Sequence, residues 1–159
     1  MQNVLNLKWI GFAALVGALI HILVNWSAIP AQVPQHYNFA GEVDAWAAKP
    51  FIFFPPAIGI ILWAGMEVAK RFPQLINMVD DVKSRNEAQK RIAIQMMNWL
   101  QLEISLLFAY LSVKDVYIAQ GHTFGLMNGE MIIILLILIG TVVGFSIYSF
   151  TKRGNIEAS

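Results

Sequence analysis

Cysteine is absent from this chain. Disulfides and thiolate metal sites are therefore excluded, and thiol usage says nothing about compartment. Charge is almost as scarce: 13% of the 159 residues are Asp, Glu, Lys or Arg, where a soluble domain carries about a quarter. The formal net charge of +1 leaves no field that would attract a nucleic acid. Also missing are a Gly-x-Ser-x-Gly nucleophile motif, a phosphate-cradling glycine loop and a dinucleotide fingerprint. Neither a His-x-x-x-His nor a Glu-x-x-His spacing occurs, and no internal repeat or low-complexity tract is found. These gaps point away from an enzyme, and no cofactor is expected.

What fills the chain is apolar. It is 57% hydrophobic with a mean hydropathy of +0.58. Four segments, at residues 9–29, 51–69, 94–118 and 131–150, are long enough to cross a hydrocarbon core of about 30 Å. The first is too long for a cleavable signal and reads as a retained signal-anchor span. Lys8, Lys70, Arg71, Lys83, Arg85, Lys90, Arg91, Lys152 and Arg153 flank these segments on one side, and only Lys49 and Lys114 fall toward the other. The positive-inside rule then places both termini and a 70–93 connection in the cytoplasm, with loops 30–50 and 119–130 outside. The expectation is an all-α integral membrane fold over residues 1–159. It is a four-span helix bundle, N-in and C-in, with an irregular outer loop, in a bacterial cytoplasmic membrane.

Polar residues inside the spans are few. His21 and Asn25 lie one turn apart on the first span and share a face. They read as interhelical hydrogen-bonders or as part of a proton path. Ala13/Gly17 and Ala14/Ala18 are small pairs suited to close helix approach. Pro55 and Pro56 suit only a first helical turn, so the regular part of the second span starts there, after an interfacial turn. Glu67 reads as a paired or snorkelling acid beside Lys70 and Arg71. Ser84-x-x-Glu87 is a capping-box pattern from which a helix of about 35 residues, some 50 Å, extends to residue 118.

That third span is the most polar. Asn98, Gln101, Ser105 and Ser112 form one stripe, and Glu103, Tyr110 and Lys114 form another. Two polar faces predict a central helix with neighbours on both sides. A bare carboxylate at Glu103 is costly in a bilayer and calls for a proton, a partner or water; His21 is the expected partner, on the ground of depth. The fourth span is nearly all aliphatic. Its Gly140-x-x-x-Gly144 is a close-packing stripe, within the bundle or between two copies of the chain.

The stretch 29–50, IPAQVPQHYNFAGEVDAWAAKP, is the most structured in chemistry. Pro30 and Pro34 stiffen the chain as it leaves the first span. Asn38 and Gly41 are turn residues, Gly41 at a positive φ. His36, Asn38 and Asp44 can cap backbone groups of such a loop, Trp46 suits the interface, and Lys49 can snorkel outward. The alternative reading is convergence: His36, Asp44, Asp115, His122 and Glu130 share the outer side by topology, and His36, Asp44, His122 and Glu130 are candidate ligands for a divalent metal.

Pro34, His36, Tyr37, Asn38, Gly41, Asp44, Trp46 and Lys49, placed just after a first span, resemble a bacterial membrane domain of unknown function found at the start of the SdpI family. That family includes an immunity protein against a peptide toxin. The resemblance covers about residues 25–56 and carries over these positions as a signature, with no catalytic residue. It implies a bacterial cytoplasmic-membrane protein with a role in immunity to, or sensing of, a membrane-active peptide. The expected function is a non-enzymatic membrane protein whose outer loop recognises a peptide or lipid-like ligand. The alternatives are a small proton-coupled transporter using His21, Asn25 and Glu103 as a dimer through Gly140 and Gly144, and an outer-face metal-dependent enzyme. Expected partners are the lipid bilayer, a cytosolic protein at the 70–93 connection and a second copy of the chain.

Overall fold

The computed structural model describes residues 2–38, 40–72, 83–123 and 129–157. The Ser84/Glu87 capping pair and most of the connection expected to meet a cytosolic partner lie outside the side chains it describes. Four helices dominate: α1 Gln2–Val24, α2 Phe54–Ala69, α3 Lys83–Ala119 and α4 Glu130–Glu157. Three segments, Leu7–Val24, Lys49–Ala69 and Ile132–Thr151, are long and apolar enough to cross a membrane. The polar stripes on α3 set it apart from these three.

Each boundary has a local cause. Asn25 closes α1: its N–H and its side-chain Nδ2 both donate to the His21 carbonyl, at 3.1 and 2.8 Å. A 3₁₀ turn, Trp26–Ala28, follows. Before α2 a second 3₁₀ turn spans Lys49–Phe53, and Pro55 and Pro56 then sit in the first helical turn, where a missing N–H costs nothing. A turn ahead of a late helix start is present, as expected. α3 runs 37 residues with neither glycine nor proline. It ends where Gly121 takes φ +83° and its N–H returns to the Ile118 carbonyl at 3.0 Å.

The helices alternate in direction. Ile22 of α1 packs with Val116 of α3, and Leu15 with Ala109, so α1 and α3 run parallel. Trp63 of α2 reaches Lys8 and Gln101 near the opposite end, and Thr141 of α4 reaches Glu103, so α2 and α4 run the other way. α3 packs against α1, α2, α4 and the first strand of the hairpin described below, which makes it the central helix its two polar faces predict. Of its first stripe, Gln101, Ser105 and Ser112 are buried and Asn98 is half-buried. Its second, Glu103, Tyr110 and Lys114, meets α4.

The small-residue expectation holds in part. Ala14 and Ala18 pack in the α1 core cluster, but nothing lies within 4 Å of where a Cβ on Gly17 would sit. The close approaches fall elsewhere. A Cβ on Gly11 would stand 2.9 Å from the Ser105 Cβ, and one on Gly59 would stand 2.6 Å from Leu15 and 2.8 Å from Phe108. These two glycines let α1 and α2 close onto α3.

The loop expected to be irregular is a β-hairpin, so the fold is not purely α. Strand β1, Gln32–Tyr37, pairs antiparallel with β2, Val43–Ala48. The pairing runs from Gln32 opposite Ala48 to Tyr37 opposite Val43, with irregularities between Pro34 and Tyr37. Pro34 lacks the N–H a regular ladder needs, which accounts for the irregularity beginning there. Val33 and Pro34 are fully buried, and Val33 joins Ile22, Ile29, Ile52 and Val116 in a cluster that seats the hairpin on the end of the bundle.

Candidate functional site beneath the hairpin

The hairpin is held by polar contacts as well as apolar ones. Tyr37, the last residue of β1, donates its hydroxyl to Asp115 Oδ1 of α3 at 2.6 Å. Lys114 lies with Nζ 4.6 Å from the centre of the Tyr37 ring. Lys114 also donates to Glu130 Oε1 at the start of α4, and Tyr110 donates to Glu130 Oε2 at 2.5 Å. One ammonium, two carboxyls and two phenols thus tie β1, α3 and α4 into one knot. Lys114, Asp115 and Glu130 are only 4–5% exposed. Burial raises the Tyr37 phenol well above its ordinary range, and the Asp115 charge and hydrogen bond push the same way. Tyr37 therefore stays a hydrogen-bond donor at physiological pH.

The rest of the motif divides between fastening and display. Asn38 and Gly41 build the turn: the Asn38 N–H donates to the Glu42 carbonyl, Gly41 stands at φ +81°, and the Glu42 N–H donates to the Asn38 side chain. Lys49, expected to snorkel outward, folds back at the surface onto the end of α1. It donates to the Trp26 carbonyl at 2.5 Å and stands 4.3 Å above the Trp26 ring, locking the foot of β2 to the end of α1. His36 and Asp44 pair across the hairpin at 2.6 Å, with side chains 67% and 44% exposed. Trp46, beside them on β2, is also exposed.

The metal candidates do not converge. His36 and Asp44 are together, Glu130 belongs to the knot below, and His122 lies against the Tyr117 ring. Among the described residues no group of three or more His, Asp or Glu could hold an ion.

His21, Asn25 and Glu103, expected to lie within the membrane, also separate. His21 stacks on Tyr117, with ring centres 5.7 Å apart, and its Nε2 is buried without a partner. Among the described residues, the Asn25 side chain hydrogen-bonds to His21 of its own helix, where it acts as a cap. Glu103 receives a hydrogen bond from Thr141 of α4 at 2.5 Å. The expected His21–Glu103 pairing is overturned by depth. His21 sits level with Tyr117, and Glu103 lies 14 residues back along α3, about 21 Å at a helical rise of 1.5 Å.

At the opposite end a second polar cluster joins α1, α2 and α3. Glu67 accepts from Lys8 at 2.9 Å and from Lys70 at 2.8 Å, and Lys70 also donates to Asn98 at 2.6 Å and to Gln101. The paired-acid expectation for Glu67 holds, with Lys8 as a partner the sequence did not suggest.

Two parts of the knot went unread. In the sequence Tyr37 is a member of the loop motif and Lys114 a member of the second polar stripe, and neither position names its partner across the fold. A signal for the second existed: across a short helix-to-helix connection, residues near its two ends face one another, which pairs Lys114 with Glu130.

The architecture is thus a helical bundle, with three helices apolar enough to cross a membrane, closed at one end by a fastened hairpin. The family model described as a domain of unknown function (DUF1648) matches residues 13–60, a unit that holds the second half of α1, the whole hairpin and the start of α2. No curated protein and no solved structure matches the chain.

Proposed function

We propose that the chain is a four-span protein of the bacterial cytoplasmic membrane whose hairpin, on the outer face, recognises a peptide or lipid-like ligand. Three apolar helices and the alternating directions of all four support the spans. Lys8, Lys70, Arg71, Lys90 and Arg91 gather toward the end away from the hairpin, which supports a cytoplasmic assignment for that end. The match at residues 13–60, together with the resemblance of the motif to the SdpI family, supports a role in immunity to a membrane-active peptide.

One observation carries the recognition reading: the hairpin is clamped from below by Tyr37 and Asp115 while it displays His36, Asp44 and Trp46 above. A clamped element that presents an imidazole–carboxylate pair beside an exposed aromatic ring is suited to contact, since this pair bridges only the two strands and leaves its outer face open. The test is survival of cells expressing the chain when challenged with membrane-active peptide toxins. Protection relative to empty vector is expected, with loss in His36→Ala and Asp44→Ala at equal membrane levels of protein. Undiminished protection in both variants removes the hairpin face from the mechanism.

Self-association through α4 belongs to the same proposal. A Cβ on Gly140 or Gly144 would meet nothing within 4 Å, so the stripe is not spent inside one chain and is open to a second copy.

A further inference from the structure

Between α3 and α4 lies a cleft of about 350 Å³, toward the lower end of the range for small-molecule sites. Its walls are aliphatic: Leu106 and Leu107 on one side, Ile133, Ile134 and Ile137 on the other. Glu103 forms part of the wall, and Tyr110 and Glu130 lie further along it. One Glu103 oxygen accepts from Thr141, while the other, Oε2, is buried with no partner. No Lys, Arg or His is among the residues lining the cleft, and the neighbouring cation, Lys114, is engaged by Glu130.

A carboxylate oxygen enclosed by aliphatic side chains is poorly stabilised unless a proton or a cation joins it. The walls offer no ring of oxygens to replace the water shell of a small metal ion. They suit a cation whose charge is spread out and whose exterior is apolar. Such a molecule dissolves in the bilayer and meets the cleft from the side, because α4 covers only one flank of α3.

We propose that the α3–α4 cleft is a binding site for a lipophilic organic cation, such as a quaternary ammonium or phosphonium, with Glu103 as its counter-charge. The cleft shares Tyr110 and Glu130 with the knot but none of the exposed hairpin face, so it stands or falls independently of recognition there. Aliphatic side chains enclose the apolar substituents, and the unpartnered Glu103 oxygen supplies the attraction that a neutral or anionic guest does not receive.

The test is equilibrium binding of radiolabelled tetraphenylphosphonium to the full chain in a neutral detergent, with tetraphenylborate as an anion of the same shape. Saturable binding of the phosphonium is expected, with no competition from the borate. Glu103→Gln keeps an acceptor for Thr141 and removes the charge; it is expected to weaken binding about tenfold or more, the scale of a lost charge-assisted contact. Leu138→Trp, which fills the cleft without touching the carboxylate, is expected to abolish binding while the thermal transition of the protein stays in place. His36→Ala is expected to bind as wild type. Equal binding of phosphonium and borate would mark the cleft as a groove for lipid tails and overturn the proposal. Undiminished affinity in Glu103→Gln, or no saturable binding by a folded wild-type chain, would overturn it as well.

Discussion

The two polar clusters at the ends of the bundle use similar groups under different conditions. In the Lys8–Glu67–Lys70 cluster the ionised side chains keep 11–21% of their surface exposed. In the Lys114–Glu130 pair they keep 5–6%. The first joins α1, α2 and α3, which also share an apolar core. The second joins β1, α3 and α4, and α4 brings almost no buried apolar surface of its own: none of residues 132–151 is buried. A part-buried cluster in which two ammoniums share one carboxylate loses little when one ammonium is removed, because the other still pairs the acid. A buried pair is indispensable once formed, because either partner left alone is a charge without solvent. The knot beneath the hairpin is therefore the more fragile to mutation although it is the better shielded.

The comparison can be broken at its strongest point first. Glu130→Ala strands Lys114, and a loss of about 3–5 kcal/mol is expected, measured by denaturant unfolding in detergent micelles. The double variant Lys114→Met/Glu130→Leu is expected to recover most of it. A small loss in the single variant would mean that water reaches Lys114. Tyr37→Phe removes the donor to buried Asp115 and is expected to cost about 1–3 kcal/mol. Its mark is faster amide exchange confined to the hairpin strands, and exchange that rises equally in α1 and α2 would contradict a local latch. Lys8→Ala sits at the weak end: Glu67 keeps Lys70, and a change of about 1 kcal/mol or less is expected. High salt is expected to reduce even that, while leaving the Lys114–Glu130 pair unaffected.

Legibility followed the same divide. α1, α2 and α4 are long aliphatic runs, and their existence is plain from hydropathy alone. The central place of α3 was readable because Gln101 and Ser105 fall on one stripe and Glu103, Tyr110 and Lys114 on another. The hairpin was not. Its strands are six residues each, β1 contains Pro34, and β2 alternates Val43, Ala45 and Ala47 against Asp44, Trp46 and Ala48, a weak contrast because alanine suits either face. Turn chemistry at Asn38 and Gly41 was visible, but two strands pairing around it depend on support from Ile22, Ile52 and Val116, which come from three separate helical segments. Depth was the other failure. A single sequence places His21 and Glu103 in the middle of their spans, but it takes contacts between the helices, such as His21 on Tyr117 and Ile22 with Val116, to fix how far α1 is shifted along α3.

The way α4 is attached has a consequence for the order of events. On the proposed four-span reading, an aliphatic helix gains nothing by exchanging acyl chains for leucines, so polar contacts such as those of Thr141 with Glu103 and of Glu130 with Tyr110 and Lys114 recruit α4. Its partners on α3 must already be aligned when it arrives. On that same reading the assembly has a built-in checkpoint: a chain whose first three helices and hairpin are misplaced leaves Glu103 and Lys114 without their α4 contacts, a state that a bilayer penalises.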